Sequence, residues 1–305
     1  MRPLSAFSRS DRRRVTRVLA DIDDTLTTEG QITAEALAAI ERLAAAGVDV
    51  IPVTGRPAGW CDHIARMWPV AAVIGENGAF YFRYDRARRT LERRFFLDEP
   101  TRAANRRRLE ILGRDILTDV PGTALASDQA YRDADLAVDY REDVAPLPPA
   151  SVDRIVALMT AAGASAKVSS IHVNGWFGDY DKLAMTRILF RELFAAELDA
   201  VKNTVVFVGD SPNDEPMFRF FPFAVGVANV RDFAARLKAR PAFVARARAG
   251  AGFAEVADAV LAAKKVRRRA AVLRPPKRAS RRRVSRTPAR RRPRKRRSAS
   301  RGRAR

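Results

Sequence analysis

Residues 17–30 read RVLADIDDTLTTEG. A short apolar run, Val18-Leu19-Ala20, leads into three carboxylates within four positions, Asp21, Asp23 and Asp24. Like charges this close repel by roughly 4 kcal/mol per pair at about 4 Å and an effective dielectric near 20. A strand that enters a core and then ends in such a cluster needs a partner that offsets the repulsion. The sequence on either side shows what kind of fold would supply one.

Val15 to Ile22 reads as a strand. TAEALAAIERLAAAG, from Thr33, reads as a helix: Thr33 caps it, Leu37, Ile40 and Leu43 recur at helical spacing, and Gly47 ends it. VDVIPVTG, from Val48, is a continuous apolar strand of the kind that is buried on both faces of a parallel sheet. A short helix follows from Trp60 to Met67, and then strand-like VAAVIGENGAFYF from Val70. Strand and helix in alternation predict an α/β fold, a Rossmann-like doubly wound parallel sheet.

The pattern changes at Asp85. A charged helix (Thr101 to Leu117), strand-like pieces near Leu125 and Leu136, a helix (Ser151 to Ala162) and the strand-like AKVSSIHVN predict an inserted α+β cap with a small core of its own. The α/β pattern resumes with the helix DKLAMTRILFRELF and the apolar strand NTVVFVGD, and the helix GFAEVADAVLAAKK closes it. The expected organisation is a discontinuous core (15–84 and 175–263), a cap (85–174) and a tail (264–305).

The net charge of +22 is confined to that tail. Of the 57 basic residues, 22 lie from Lys264 onward, where there is no acid, which leaves 35 basic against 35 acidic residues elsewhere. Eighteen of the 22 are arginines, whose forks match phosphates in a bidentate way. With almost no large apolar residues, the tail is expected to be disordered and to bind polyanions, nucleic acid first. Affinity should then fall by about 0.9 log unit per log salt for each duplex phosphate neutralised. An anionic membrane surface or a ribosome would satisfy the same charge.

A single cysteine, Cys61, rules out an intramolecular disulfide and a cysteine-based zinc site. His63 and His172 are too few for a histidine-rich metal site and read as packed or surface residues. No run approaches the roughly 20 apolar residues of a membrane helix, and no secretory pattern follows the basic N-terminus. The expectation is a cytoplasmic protein, associated with the nucleoid through the tail.

Ligands of open α/β sheets bind at the carboxyl ends of the strands. Three polar clusters fall there: DIDDT, VTGR (Thr54, Gly55, Arg56) and GDSPND (Asp210, Ser211, Asn213, Asp214). If these strands are neighbours, Asp21, Asp23 and Asp210 converge on an oxygen-rich pocket suited to a hard divalent ion, Mg²⁺. A carboxylate can attack phosphorus, and a second one two residues on can serve as acid and then as base. Thr54 is placed to give its hydroxyl and backbone N–H to phosphate oxygens. Lys182, after the insertion, is the best placed lysine to balance charge.

These residues carry a resemblance. DIDDT, VTGR, the Lys182 of DYDKLAM, and GDSPND, in that order, resemble the four motifs of the haloacid dehalogenase superfamily of aspartate-nucleophile phosphatases. The connecting ENGAF and FAVGVANV, and the position of the insertion, are similar to subfamily IIB, with its type 2 cap, which includes sucrose-phosphate, mannosylphosphoglycerate and trehalose-phosphate phosphatases. The resemblance covers about residues 15–263.

It implies Asp21 as nucleophile and metal ligand, and Asp23 as general acid/base with its backbone carbonyl on the metal. It implies Asp210 as the third metal ligand, phosphate binding by Thr54, Gly55, Asn213 and Lys182, and Asp214 in support behind them. Asp24 and Leu183 depart from the family's usual glycines at those positions. The implied activity is Mg²⁺-dependent hydrolysis of a small phosphomonoester, a sugar phosphate in first place, through an aspartyl-phosphate. A phosphosugar mutase on the same site and a nucleic-acid-binding protein led by the tail stay open. Trp60, Trp176 and Tyr180 offer stacking faces for a sugar or are packing, and Arg56 is an ion-pair partner or a phosphate ligand.

Overall fold

The computed structural model describes residues 1–169 and 171–264. The expected disordered, polyanion-binding tail lies outside them beyond Lys264.

Six parallel strands form the main sheet, in the order Arg2–Pro3, Phe243–Val244, Ala224–Gly226, Val205–Gly209, Arg17–Ala20, Asp49–Pro52. The Arg17–Ala20 and Val205–Gly209 strands lie side by side near the middle. Side chains alternate along them. Val18, Ala20, Val206 and Val208 enter one apolar core, which also takes the helices Ala34–Ala45, Ala58–Met67 and Ala249–Lys264. Leu19, Val205 and Phe207 enter the other, shared with Lys182–Phe194 and Glu215–Phe220. Burial on both faces explains the unbroken apolar runs. Fully burying a side chain such as Phe207 contributes about 1.5–3 kcal/mol.

Thr33 caps its helix as expected, its hydroxyl accepting from Ala36 N–H at 3.2 Å. Leu37, however, is 36% exposed, and Ala36, Ala39, Ile40 and Leu43 form the buried stripe. The stretch from Val70 is not one strand. Val73–Gly75 bridges to the main sheet at Val53–Ile74, a turn at Glu76–Gly78 reverses the chain, and Phe80–Asp85 and Thr90–Phe95 complete an antiparallel trio. Residues 1–14 also belong to the fold. The helix Arg9–Arg14 rests on the last helix, with Arg12 Nη1 donating to Ala259 O at 3.1 Å.

The inserted segment folds as α+β. Four antiparallel strands, in the order Ser165–Val168, His172–Trp176, Asp135–Asp139, Ala124–Leu125, carry the helices Glu99–Asp119 and Pro149–Ala161. AKVSSIHVN therefore spans two strands. Leu136, Val138 and Val173 pack with Leu112, Ile116, Ile155 and Met159 into a separate core. Their alternates Asp135, Asp139, His172 and Asn174 are buried away from it, and His172 and Asn174 line the space over Asp21. Among the described residues no helix is long and apolar enough to cross a membrane.

Candidate active site

The two central strands deliver the carboxylates. Asp21 follows Arg17–Ala20, its N–H still donating to Val208 O at 2.9 Å, and Asp210 follows Val205–Gly209. One oxygen each of Asp21, Asp210 and Asp214 lies within 4.8 Å of the others, and all three residues are buried. Lys182 reaches them from the first turn of its helix. Its Nζ donates to Asp21 Oδ1 at 2.8 Å and to Asp214 Oδ1 at 2.9 Å. Asp214 Oδ2 accepts from Asp210 N–H at 3.1 Å. With both oxygens engaged, Asp214 fixes the lysine and the Asp210 turn.

Two glycines make this geometry possible. A Cβ at Gly209 would stand 2.3 Å from Asp214 Oδ2, and one at Gly78 would stand 2.1 Å from Asp181 O. Gly78 also sits at φ +108°, which favours glycine. The peptide that precedes Lys182 thus packs directly on the Glu76–Gly78 turn, and the Asp181 carboxylate caps the helix by accepting from Ala184 N–H at 2.7 Å.

Burial pushes the Asp21 carboxyl up to about 7, with Lys182 pulling it down and Asp214 and Asp23 adding to the rise. Burial, then Asp214 and Asp21, hold Asp210 well above the usual carboxylate range. Burial disfavours the Lys182 ammonium, but Asp21 and Asp214 outweigh it and raise its pKa. Three buried carboxylates against one ammonium leave two surplus negative charges when all are ionised, the charge of one divalent cation. An all-oxygen donor set fits a hard ion such as Mg²⁺; Asp21, with Oδ1 alone taken by Lys182, and Asp210, whose oxygens meet only long contacts of 3.4 Å, are the carboxylates best able to hold it.

The structure brings Asp21, Lys182, Asp210 and Asp214 together. Gly55, Asn213 and Asp23 line the adjoining space. Thr54, which precedes Gly55, is fully buried. Its N–H donates to Ile74 O at 2.9 Å, so the expectation that this N–H faces phosphate is corrected: it belongs to the sheet. The Thr54 hydroxyl accepts from Arg56 N–H at 3.0 Å and keeps its own proton to donate. Ser211 and Asn213 are 2.9 Å apart through Oγ and Oδ1. Asp24, where the family has glycine, adopts a left-handed φ of +56°, a conformation that aspartate tolerates better than most residues. Leu183 continues the helix and packs on the core.

Asp23 lines the same space as Asp21 and Asp210 but is paired with Arg56. Arg56 Nε donates to its two oxygens at 3.0 and 3.1 Å. The same guanidinium reaches Glu142 at 3.1 Å and Asp128 at 3.4 Å in the insertion, and lies over the Trp60 ring at 4.5 Å. Arg56 is therefore an ion-pair partner in this arrangement. His172 Nε2 stands 2.8 Å from Glu142 Oε2. That imidazole, and then Arg56, hold the Glu142 carboxyl down to about 2 against its partial burial. Trp176 and Tyr180 are buried against each other and are packing residues.

Three participants were not anticipated. Asn229 donates to Asp24 O at 2.7 Å and stands 3.4 Å from Asp210 Oδ2, holding the two loops in register. Arg132, fully buried, bonds Asp128, Asp135 and the carbonyl of Gly55. Glu76 accepts from four backbone N–H groups, Ala58, Asp133, Ala134 and Asp135, at 2.6–3.2 Å. Burial, then Asp135, raise the Glu76 pKa to about 8, but its oxygens face N–H donors, which offer nothing to accept a carboxyl proton, and an acceptor-only carboxylate suits that cradle. Glu76→Gln aims an amide N–H₂ at N–H donors, and we expect it to destabilise the fold by about 1–3 kcal/mol, read as a lower denaturant midpoint. A midpoint equal to wild type would show that the cradle does not depend on an acceptor at both positions.

Residues 18–99 match the family described as haloacid dehalogenase-like hydrolase, so the resemblance drawn from the motifs holds there. Solved structures share the fold over most of the chain. Protein 0175 of Thermoplasma acidophilum is 20% identical with a TM-score of 0.61, covering 81% of this chain and 98% of its own. The sucrose-phosphatase of Synechocystis sp. PCC6803, solved with sucrose and phosphate, is 16% identical with a TM-score of 0.57, covering 82% and 98%. The subclass IIB sugar phosphatase BT4131 is 12% identical with a TM-score of 0.56, covering 81% and 98%. No curated protein matches the sequence.

Proposed function

For a chain that resembles haloacid dehalogenase-like hydrolases in motifs, family match and fold, we propose a Mg²⁺-dependent phosphatase of a small phosphomonoester, a sugar phosphate, acting through an aspartyl-phosphate on Asp21. The observation that carries this reading is the Lys182 ammonium held between Asp21 and Asp214 with Asp210 beside them. It assembles a nucleophile, a counter-charge and a metal-ligand set from three distant segments.

In the proposed reaction an Asp21 oxygen attacks phosphorus as the bond to the leaving oxygen breaks. Lys182 holds the Asp21 carboxylate in place and screens the charge that gathers on the phosphoryl oxygens. Asp23 gives a proton to the leaving oxygen, then takes one from the water that hydrolyses the acyl phosphate. The Thr54 hydroxyl, Gly55 and Asn213 hold the phosphoryl oxygens. The bound cation would be held by Asp21, Asp210 and the Asp23 backbone carbonyl, and would supply positive charge to the phosphate. Asp210 keeps its orientation through Thr25, at 3.4 Å, and Asn229.

The space over Asp21 measures about 20 Å³, room for about one water. A phosphomonoester enters only when the insertion and the sheet part, which breaks the Arg56 contacts to Asp128 and Glu142. Substrate phosphoryl oxygens then compete with Asp23 for that guanidinium, freeing the Asp23 carboxyl for proton transfer.

The test is phosphate release from a panel of sugar phosphates and other phosphomonoesters, with Mg²⁺ or with EDTA. We expect release that EDTA abolishes and Mg²⁺ restores. Isomerised sugar phosphate without free phosphate would replace hydrolysis by a mutase, and no chemistry on any member would sink the reading. Mg²⁺ at about 100 times its Kd should also stabilise the fold by roughly 2.7 kcal/mol.

A further inference from the structure

A second hollow opens between the insertion and the sheet, beside the catalytic carboxylates. It measures about 690 Å³ and meets the space over Asp21 at Ser169 and Ser211, which line both. Its walls are largely apolar: Leu147 and Val152 from the insertion, Pro212 and Phe233 from the main fold. Two arginines face it from opposite sides, Arg141 from the insertion and Arg236 from the main fold.

Both are placed by structure. The buried Asp139 carboxylate accepts from the N–H groups of Arg141, Glu142 and Asp143 at 2.7–2.8 Å and fixes that turn. Arg236 N–H donates to Phe233 O at 2.8 Å. The other arginines near the site are matched to acids: Arg56 to Asp23 and Glu142, Arg132 to Asp128 and Asp135, Arg248 to Asp232. Among the described residues, Arg141 and Arg236 have no carboxylate within 4 Å. One acid, Asp153, also lines the hollow and pairs with neither.

The Tyr140 phenol lines the same hollow and donates to Ser169 O at 2.8 Å. Burial pushes its pKa up, while Arg141 and Arg236 both pull it down. Two guanidiniums on facing walls, neither paired with a carboxylate, repel each other, and an anion between them removes the repulsion. A neutral polyol would meet mostly apolar walls and two forks that prefer carboxylate or phosphate.

We propose that this hollow receives the far end of the substrate, and that this end carries a second anionic group, carboxylate or phosphate, held between Arg141 and Arg236. The inference rests on the phosphatase reading and narrows its substrate class to phosphomonoesters with a second anionic group.

The experiment measures kcat/KM with Mg²⁺ on matched pairs. Glycerol 3-phosphate against 3-phosphoglycerate varies a carboxylate; fructose 6-phosphate against fructose 1,6-bisphosphate varies a second phosphate. We expect at least one doubly anionic member to exceed its partner about tenfold or more, as charge-assisted hydrogen bonds allow. The pair with the larger ratio identifies the second group. Arg141→Gln and Arg236→Gln should each collapse that ratio toward one through KM, with kcat for the anionic member largely kept. Equal rates within both pairs, or variants that leave a ratio intact, would overturn the proposal. If wild type hydrolyses nothing, the phosphatase reading fails, and the hollow is judged by thermal shift with 3-phosphoglycerate and fructose 1,6-bisphosphate. An Arg141-dependent rise in Tm supports an anion site there, and no rise overturns it.

Discussion

Asp21→Asn protein should fold as wild type does and release phosphate at least about 10⁴-fold more slowly, in line with losses seen on removing a catalytic nucleophile. The amide has nearly the volume of the carboxylate, and its oxygen can still accept from Lys182 Nζ, 2.8 Å away in wild type. It has no lone pair of comparable nucleophilicity to offer phosphorus. The substitution also removes one of three buried carboxylates that share a single ammonium. In EDTA the variant should therefore melt no lower than wild type. The two readouts pull apart a catalytic role from a structural one: a lost rate with a kept Tm belongs to a nucleophile. Turnover within tenfold of wild type would remove Asp21 from the mechanism.

The strands that carry the carboxylates were legible because their physics is local. Val18-Leu19-Ala20 and Val205 to Val208 are apolar on both faces, which only a covered parallel sheet explains, and their polar ends then fall on one edge. Lys182 was legible from its place at a helix start after an insertion. What stayed hidden depends on register or on left-handed backbone. His172 faces the site because the inserted sheet pairs it with Asp139, and a shift of one residue would have sent it into the small core in place of Val173. Glu76 sits within an apolar run, where its neighbours give no hint that it gathers N–H groups from Ala58 and from residues nearly sixty positions on. The turn itself requires positive φ at Glu76, Asn77 and Gly78; Asn-Gly signals a turn, but nothing about Glu76 does. Thr54 differs in another way: the strand from Val73 takes the N–H that was expected to face phosphate.

Lys182→Met should have the second large effect, on stability as well as turnover. The ammonium lies 2.8 Å from Asp21 and 2.9 Å from Asp214, with side-chain exposure of 5% or less throughout. Removing it leaves buried carboxylates without their counter-charge, at about 3–5 kcal/mol. The loss depends on pH, with a definite sign. Burial already lifts Asp21 from its ordinary 3.8 to about 7, so the folded chain keeps that proton to a higher pH than the unfolded chain does. Such a group contributes its full stability below about pH 4 and loses it as pH rises through about 7. Without Lys182 the main downward pull on Asp21 disappears, and the loss continues to higher pH. Near pH 5 the Asp21 proton removes one of the two charges that Lys182 balances, and the variant should melt nearer to wild type than it does at pH 8. At pH 8 in EDTA it should melt roughly 6–20 °C lower, from about 2–4 °C per kcal/mol in a fold of this size. Mg²⁺ should recover part of that difference, because a cation on Asp21 and Asp210 replaces some of the missing charge, but it should not recover turnover. A Tm difference that is the same at pH 5 and pH 8 would mean that Lys182 stabilises the fold by packing alone, and that the counter-charge for these carboxylates comes from elsewhere.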